Sequence, residues 1–461
     1  MSGANNASMA MPGQNWSMLW PQTFDDFQLD IVGFLAILGE GSVAANAQVA
    51  ALSRLFYLPR LIPAPQALLW PSRPSKLPPT TAVVTGVHSG NVKEHIHHLA
   101  HVLLSGDEMP TYTVRCVRIT KKPGQEKFTT LDTMLRGLPA RKNTDPDATM
   151  PDFSVKAKAL GPLTVVVAIG LALSITLFIV SIVFGDGMSM IATILLSLLS
   201  TVVGIGNKWN LKLTQPSKEV KDSDGTVVIR YPRGSYLVVR CTEQVARELY
   251  FAPEEIEYNV ESPGKFRIIS LVGTLMLMLG VIALANARLP LQFAWAGAYI
   301  IINIAHWIAA ALPASSHWDL SCYTVKEESI APHLRHHDPK SDEKPFGGPD
   351  SKTFTEALWK AIMFTGETSW VRPGKAAPQT KTWDQWLEEA QKHAANVKSY
   401  KGPIKNKKFG DDSESQGIIW EDPDQWDPKK AWNELHEANK TPREQNETDS
   451  DASARLGAES V

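Results

Sequence analysis

Residues 159–185 read "ALGPLTVVVAIGLALSITLFIVSIVFG", a run of 27 residues without a charged side chain between Lys158 and Asp186. Three more uncharged runs follow, at 187–207, 268–287 and 289–318. A helix needs about 20 apolar residues to cross roughly 30 Å of bilayer hydrocarbon. The runs therefore predict transmembrane helices over about 162–185, 188–206, 267–287 and 291–312.

The links inside each pair of predicted helices are very short. "GDGM" (185–188) joins the first two helices, and "ARLP" (287–290) joins the last two. Such links cannot cross a membrane, so each pair must be an antiparallel hairpin, over 159–207 and over 267–313. The predicted fold class is a mainly α membrane protein with two transmembrane hairpins, small cytosolic α+β parts and a partly disordered tail.

Upstream of the hairpins, we predict a disordered N-terminus over 1–28 and an α/β domain over 29–155. Residues 30–58 suit a packed or membrane-surface helix, because charges break their apolar runs. A proline-rich link over 63–79 follows. "TTAVVTGVH" (80–88) and "TYTVRCVRIT" (111–120) are typical of strands, with a helix between them.

Two further parts follow the first hairpin. The loop 208–266 is predicted as a small domain, with a β-hairpin in "GTVVIRYPRGSYLVVRC" (225–241) and a helix capped by Thr242. The tryptophan-rich tail, 314–436, contains three amphipathic patterns: "SKTFTEALWKAIMF" (351–364), "TWDQWLEEAQKH" (382–393) with a capping box from Thr382 to Gln385, and "DPKKAWNELHEANK" (427–440) with Asp427 as cap. Residues 437–461 have the composition of disorder.

Composition limits the partners and cofactors. The chain has 46 basic and 48 acidic residues, a net charge of −2, which argues against nucleic acid as a partner. Its three cysteines are too few and too scattered for a disulfide framework. The start shows no cleavable signal pattern. No cofactor is predicted, and the lipid bilayer is the partner that the composition indicates.

Four histidines fall in "KEHIHHLAHVLL" (93–104). On one helix, Val92, Ile96, Leu99 and Leu103 would share a face, and Glu94, His97, His98 and His101 the opposite face. The pattern favours an ordinary solvated face. A metal site of Glu94, His97 and His101 is the alternative, because i, i+4 histidines can bind zinc, and a pH sensor is another. The metalloprotease pattern is absent, since His98 stands where it requires Glu.

Asn303 and His306 lie three residues apart inside the last predicted span, so they share a helix face. Polar groups at that depth are expensive and indicate a functional site by default. A hydrogen bond to a neighbouring helix, such as from a Ser or Thr of the first span, is the favoured structural alternative. The spans carry no acidic or basic partner, which argues against a proton-coupled transporter.

Orientation follows from the flanking charges, because Lys and Arg mark the cytoplasmic side. Eight basic residues flank the helices on one side, and Arg288 alone lies at the tips: Arg141, Lys142, Lys156, Lys158, Lys208, Lys212, Lys265 and Arg267. Both termini are thus predicted to be cytosolic, in the plasma membrane or an endomembrane. Glycosylation sequons at Asn6, Asn15, Asn439 and Asn446 favour the opposite orientation.

Three stretches resemble a group of filamentous-fungal multi-pass membrane proteins. They are "SYLVVRCTEQVARELYFAPEEIEY" (235–258), "SLVGTLMLMLGVIALANARLPLQFAWAGAYIIINIAHWIAAALP" (270–313) and "FTEALWKAI" (354–362). The similarity covers residues 30–400. That group has no established activity, so the resemblance implies a fungal four-span membrane protein and assigns no catalytic residue.

Three functions fit these observations. The favoured one is a non-enzymatic membrane scaffold or accessory protein that binds a cytosolic or membrane protein. The second is a small oligomeric channel or transporter component with Asn303 and His306 lining its path. The third is a metal-dependent membrane enzyme using Glu94, His97 and His101. Accessory service in a fungal biosynthetic pathway is compatible with each.

Overall fold

The computed structural model of the chain describes residues 57–69, 73–105, 109–121, 156–158, 161–212, 223–331, 351–405 and 414–440, with positions 43, 51 and 55. The α-helices there are α1 (Pro65–Leu69), α2 (His98–Leu104), α3 (Pro162–Val183), α4 (Gly187–Asn207), α5 (Glu243–Ala246), α6 (Pro263–Ala285), α7 (Leu289–Ala311), α8 (Phe354–Thr365), α9 (Lys381–Ala394) and α10 (Pro428–Ala438). The β-strands are β1 (Thr80–Gly86), β2 (Val92–Ile96), β3 (Val114–Lys121), β4 (Lys156–Ala157), β5 (Trp209–Lys212), β6 (Val227–Arg230), β7 (Tyr236–Arg240), β8 (Glu255–Tyr258), β9 (Trp318–Asp319), β10 (Tyr323–Ile330), β11 (Lys398–Lys405) and β12 (Glu414–Glu421). A π-helical turn, Arg247–Phe251, follows α5, and a 3-10 turn, Ala314–Ser316, follows α7.

The chain divides into two compact units. The membrane unit comprises 1–72, 157–209 and 258–317, and the sheet unit comprises 73–156, 210–257 and 318–461. The chain therefore passes between the units five times. We predicted separate parts before, between and after the hairpins, whereas the sheet unit draws on all three.

Four helices of the membrane unit are long and apolar enough to cross a bilayer, namely α3, α4, α6 and α7. This confirms the four predicted spans. Among the described residues, every exposed large hydrophobic side chain except Val92 and Tyr400 lies between Val165 and Leu312. An apolar surface of that extent requires an apolar surrounding, which lipid supplies.

The spans begin and end a few residues away from the predicted bounds. Helix α6 starts at Pro263 rather than at residue 267, because Ser262 takes the cap position and proline fits the first helical turn. Lys265 and Arg267 are therefore inside the helix, where both are exposed. A prediction from uncharged windows misses such ends, since long basic side chains can reach the interface from within a helix.

Asp186 joins the tips of the two hairpins. Its carboxylate caps α4 by accepting from the amides of Met188 (3.0 Å) and Ser189 (3.3 Å). The other carboxylate oxygen accepts from the amide of Arg288, at the start of α7 (2.7 Å). The Arg288 side chain returns to the carbonyl of Phe184 (2.8 Å). One buried acid thus satisfies amides at two helix starts.

The sheet unit contains an eight-stranded sheet, in the order β11-β12-β10-β3-β7-β6-β1-β2. The pairs β3–β7 and β10–β12 are parallel, and the others are antiparallel. The predicted fold class therefore underestimated the β-structure. We predicted several small α+β parts, whereas strands from three chain regions form one sheet.

Helices cover both faces of this sheet. On one face, α8, α9 and α10 bury a tryptophan-rich core that includes Trp359, Trp370 and Trp386. On the other face, α2, α5 and the π-helical turn pack over β3, β6 and β7. Helix α8 is buried almost all round, rather than along the single apolar stripe that we predicted.

The predicted hairpin and tail helices are confirmed, but two caps differ. Strands β6 and β7 form the hairpin, and Asp427 caps α10 as expected. Helix α9 starts two residues early, because the Thr380 hydroxyl rather than that of Thr382 accepts an amide bond, from Trp383. Thr242 precedes α5 without a capping side-chain bond. The predicted disorder at 437–461 begins too early, because α10 continues to Ala438. The predicted disorder at 1–28, residues 441–461 and most of the predicted helix at 30–58 lie outside the described residues.

Candidate functional site

Residues 57–69, here called the inserted segment, pack among the four membrane helices. The amide of Leu61 donates to the carbonyl of Gly170 in α3 (3.2 Å), and the amide of Ala64 donates to the hydroxyl of Tyr299 in α7 (2.9 Å). Gly170 lies eight residues from the start of α3, which is about 12 Å along the helix. Irregular backbone at membrane depth is tolerated where protein satisfies its polar groups.

Polar side chains of α4 and α6 form further hydrogen bonds with the inserted segment. The Ser200 hydroxyl accepts from the amide of Arg60 (3.0 Å) and lies 2.9 Å from the carbonyl of Leu58. Further donors to the segment's carbonyls are Thr201 to Tyr57 (2.9 Å), Asn207 to Leu68 (2.9 Å) and Ser270 to Leu69. These four polar residues of the spans, Ser200, Thr201, Asn207 and Ser270, therefore bond to the backbone of the inserted segment.

Two glycines allow the segment to approach the helices. A Cβ atom at Gly170 would lie 2.6 Å from the carbonyl oxygen of Leu61, and one at Gly273 would lie 2.4 Å from a methyl of Leu69. An alanine at residue 170 would require the backbone of one of the two segments to move, whereas an alanine at residue 273 would require the Leu69 side chain to move. In membrane bundles, small residues of this kind let backbones come close.

Asn303 and His306 lie on the buried face of α7, close to the inserted segment. Asn303 Nδ2 donates to the carbonyl of Tyr299 (2.8 Å), so its observed bond is within its own helix rather than to a neighbouring span. His306 lies close enough to Arg60 for their charges to interact. Arg60 is only 6% exposed. The structure thus places one of the two predicted residues, His306, near a buried arginine that we did not predict.

The predicted metal residues do not come together. Residues 92–96 form a strand, and the helix starts only at His98, because His97 has an extended backbone. The predicted single helix over the histidines is therefore wrong. Glu94 is exposed and pairs with Lys375 (3.0 Å), whereas His97 is buried. His101 lies one turn into α2, and the described chain offers no group of three His, Cys, Asp or Glu residues placed for a metal.

Two buried titratable side chains near the start of α2, Glu254 and His97, have shifted pKa values. Burial raises the pKa of Glu254 to about 7. The amides of His98 and Leu99 donate to its carboxylate and partly offset this increase in pKa. Burial also lowers the pKa of His97 to about 4, with help from the charge of Lys93, whose Nζ lies 3.3 Å from His97 Nε2. His97 is therefore neutral at pH 7, while Glu254 titrates there.

A second buried carboxylate, Glu328, connects four strands of the sheet. It accepts from Arg118 (2.8 Å) and from the indole of Trp420 (2.8 Å), with Arg240 at 3.8 Å. Burial raises the pKa of the neighbouring Cys116 thiol, and burial likewise raises those of Cys241 and Cys322. Protonated thiols are poor nucleophiles, so none of the three resembles a catalytic cysteine.

Sequence reasoning missed the inserted segment, although one signal was present. The second span carries Ser197, Ser200, Thr201 and Asn207 in its last turns. Polar groups in a span need partners, and the neighbouring hairpin could not serve them all. The partners of Thr201, Ser200 and Asn207 are the carbonyls of residues 57, 58 and 68, so two of them lie in the predicted helix at 30–58 and one in the proline-rich run.

Comparisons with protein-family models, with curated proteins and with solved structures find no match for this chain.

Proposed function

We propose that this chain is a non-enzymatic membrane scaffold or accessory protein whose sheet unit binds a protein partner on the cytosolic side. The observation that carries the proposal is the sheet built from strands before, between and after the hairpins. Five chain crossings tie this sheet to the spans. A folded unit anchored at so many points suits a role in holding a partner at a membrane.

The chemistry of the described side chains supports a non-enzymatic role. The three thiols are kept protonated by burial, and Glu94 and His97 do not face one another. The buried acids Glu254 and Glu328 are engaged by backbone amides and by arginine. Each of these groups serves the fold in a way that accounts for its burial.

The channel alternative is weaker on this geometry. The inserted segment bonds to all four helices and occupies the space between them. A path through one copy would require this segment to leave, with the loss of its bonds to the helices. A conducting form would therefore be an oligomer with its path between copies. The fungal resemblance and accessory service in a biosynthetic pathway are compatible with the scaffold.

Cross-linking in the native membrane tests the proposal. Full-length chain is treated with an amine-reactive cross-linker, and linked peptides are identified by mass spectrometry. We expect one protein linked repeatedly to exposed lysines of the sheet unit, such as Lys398 and Lys401. An unrelated four-span protein of equal abundance is the control. Links only within the chain, or the same partners as the control, would contradict the scaffold proposal.

A further inference from the structure

The buried face of α7 carries polar atoms without a hydrogen-bond partner. Asn303 Oδ1 and His306 Nδ1 are both in this condition, and the two residues are 8% and 7% exposed. A buried polar atom without a hydrogen-bond partner destabilises the folded state, because it has lost its bonds to water and gained none. One bound group that forms hydrogen bonds with both atoms would satisfy them together. We call this group the occupant.

The positions of Asn303 and His306 along α7 indicate the end of the bundle from which the occupant would enter. His306 lies five residues and Asn303 eight residues from Ala311, the last residue of α7, or about 8 and 12 Å along the axis. Side chains three residues apart on a helix are roughly 5–6 Å apart at Cβ. The two atoms are therefore within reach of one small group entering near this end of the bundle.

The hydrogen-bonding capacity of the two residues selects the chemistry of that group. Asn303 Oδ1 is an amide oxygen and can only accept, while Asn303 Nδ2 already donates to the carbonyl of Tyr299. A neutral imidazole nitrogen either donates or accepts. The occupant must therefore donate a hydrogen bond to Asn303, which excludes a carboxylate or phosphate anion.

The charge of Arg60 excludes a cation as the bound group. Arg60 is close enough to His306 for their charges to interact, so a cation would be repelled from the same place. A neutral donor remains, and a hydroxyl suits both residues because its single oxygen can donate to Asn303 and accept from His306. We infer that Asn303 and His306 form a binding site for a neutral hydroxyl, supplied by the head of a neutral lipid or by water. This inference does not depend on the scaffold proposal.

The surrounding surface admits a lipid. Ile304 and Trp307, on the adjoining face of α7, are 54% and 66% exposed. Both belong to the apolar surface that faces the bilayer. A lipid whose hydroxyl reaches Asn303 can lay its hydrocarbon chain along these side chains.

The first arm of the test uses lipid. Full-length chain in nanodiscs is exposed to a photoreactive diacylglycerol and, separately, to a photoreactive sterol. We expect labelling within 289–311, competed by the unlabelled lipid. Asn303→Leu and His306→Leu should each reduce labelling at least tenfold, whereas Ile175→Leu, at an exposed position of α3, should leave it unchanged. Competition on the unaltered protein keeps the test valid if a variant folds poorly.

The second arm uses water. The native cysteines are replaced by serine or alanine, and His306→Cys and Ile304→Cys are made in that background. A charged methanethiosulfonate reagent is applied to full-length protein in liposomes. If water occupies the site, residue 306 should react at least tenfold faster than residue 304. Competed labelling in the first arm or fast reaction in the second supports the site, and failure of both overturns it.

Discussion

At the scale of single residues, Glu254 is a carboxyl group that titrates inside the sheet unit. Burial raises its pKa from the ordinary 4.5 to about 7, so the folded chain holds this proton more tightly than the unfolded chain. Its contribution to stability is therefore fully present below pH 4.5 and is lost as the pH rises through 7. His97 acts in the opposite direction, since its contribution is present above pH 6.5 and lost as the pH falls toward 4.

Replacing Glu254 by glutamine should remove the first of these dependences. The unaltered chain should lose roughly 2–3 kcal/mol relative to Glu254→Gln between pH 5 and pH 8, because one pKa unit corresponds to about 1.4 kcal/mol. Thermal unfolding of both proteins at several pH values measures this difference. A difference between the two proteins that does not change with pH would show that Glu254 does not titrate differently on folding.

Gly170 should tolerate no larger side chain. In Gly170→Ala the new Cβ would meet the Leu61 carbonyl at 2.6 Å, which forces the inserted segment or α3 to move. We expect a loss of about 1–3 kcal/mol in the unfolding free energy of the membrane unit. Gly297→Ala in α7 is the matched control, because its Cβ would meet no atom within 4 Å. Unfolding in detergent compares the two, and equal stability would argue against the close approach.

At the scale of helices, the Asp186 connection joins α4 to α7. Asp186→Ala should leave the amides of Met188, Ser189 and Arg288 without their acceptor. Loss of a helix cap costs about 1–2 kcal/mol, and we expect the hairpins to separate more readily. Limited proteolysis near residue 186 is the measurement. Asp186→Asn should have an intermediate effect, because its single amide oxygen can replace only one of the two carboxylate oxygens. Proteolysis of Asp186→Ala at the rate of the unaltered chain would contradict this role.

The four spans could be predicted from sequence because lipid imposes one rule on every residue that it touches. A span must be long, apolar and helical, and these properties are visible in a linear string. The inserted segment follows no such rule, since its partners are side chains more than a hundred residues away, such as Ser200 for Arg60. No local sequence pattern therefore predicted that Arg60 is buried. Asn303 and His306 were identified because a polar residue inside an apolar span stands out in the sequence.

The strands missed from sequence share a physical cause. Strand β11, "KSYKGPIK", lies at the edge of the sheet with most of its side chains exposed, so no alternation of apolar residues marks it. Strand β10, "YTVKEESI", carries three charges, and its buried Glu328 is paired with Arg118. In both strands the pairing partners, rather than the local pattern, specify the structure.

At the scale of the whole molecule, orientation is the most consequential prediction. The basic flanks indicate cytosolic termini, so none of the four sequons should be glycosylated. Asn439 Nδ2, which would carry a glycan, donates to Gln385 (2.6 Å) and to the carbonyl of Leu435 (2.9 Å). These bonds agree with an unmodified side chain at the end of α10.

A gel shift checks this orientation. Microsomal protein treated with an endoglycosidase should keep its mobility, because the termini do not meet the lumenal enzymes. A variant with Asn15→Gln and Asn446→Gln should migrate like the unaltered chain. A shift on treatment that disappears in this variant would place the termini in the lumen and would remove the cytosolic partner from the proposed function.

The interleaving of sheet and membrane segments also dictates the order of events at the ribosome. Strand β3 is made first, but its neighbours β7 and β10 begin only at residues 236 and 323, each after another hairpin. At about 5–20 residues per second, β7 follows β3 by roughly ten seconds. During that time β3 has two unpaired edges, which invite aggregation. We therefore expect a chaperone to protect the nascent chain, and a failure to insert either hairpin should also prevent the sheet from forming.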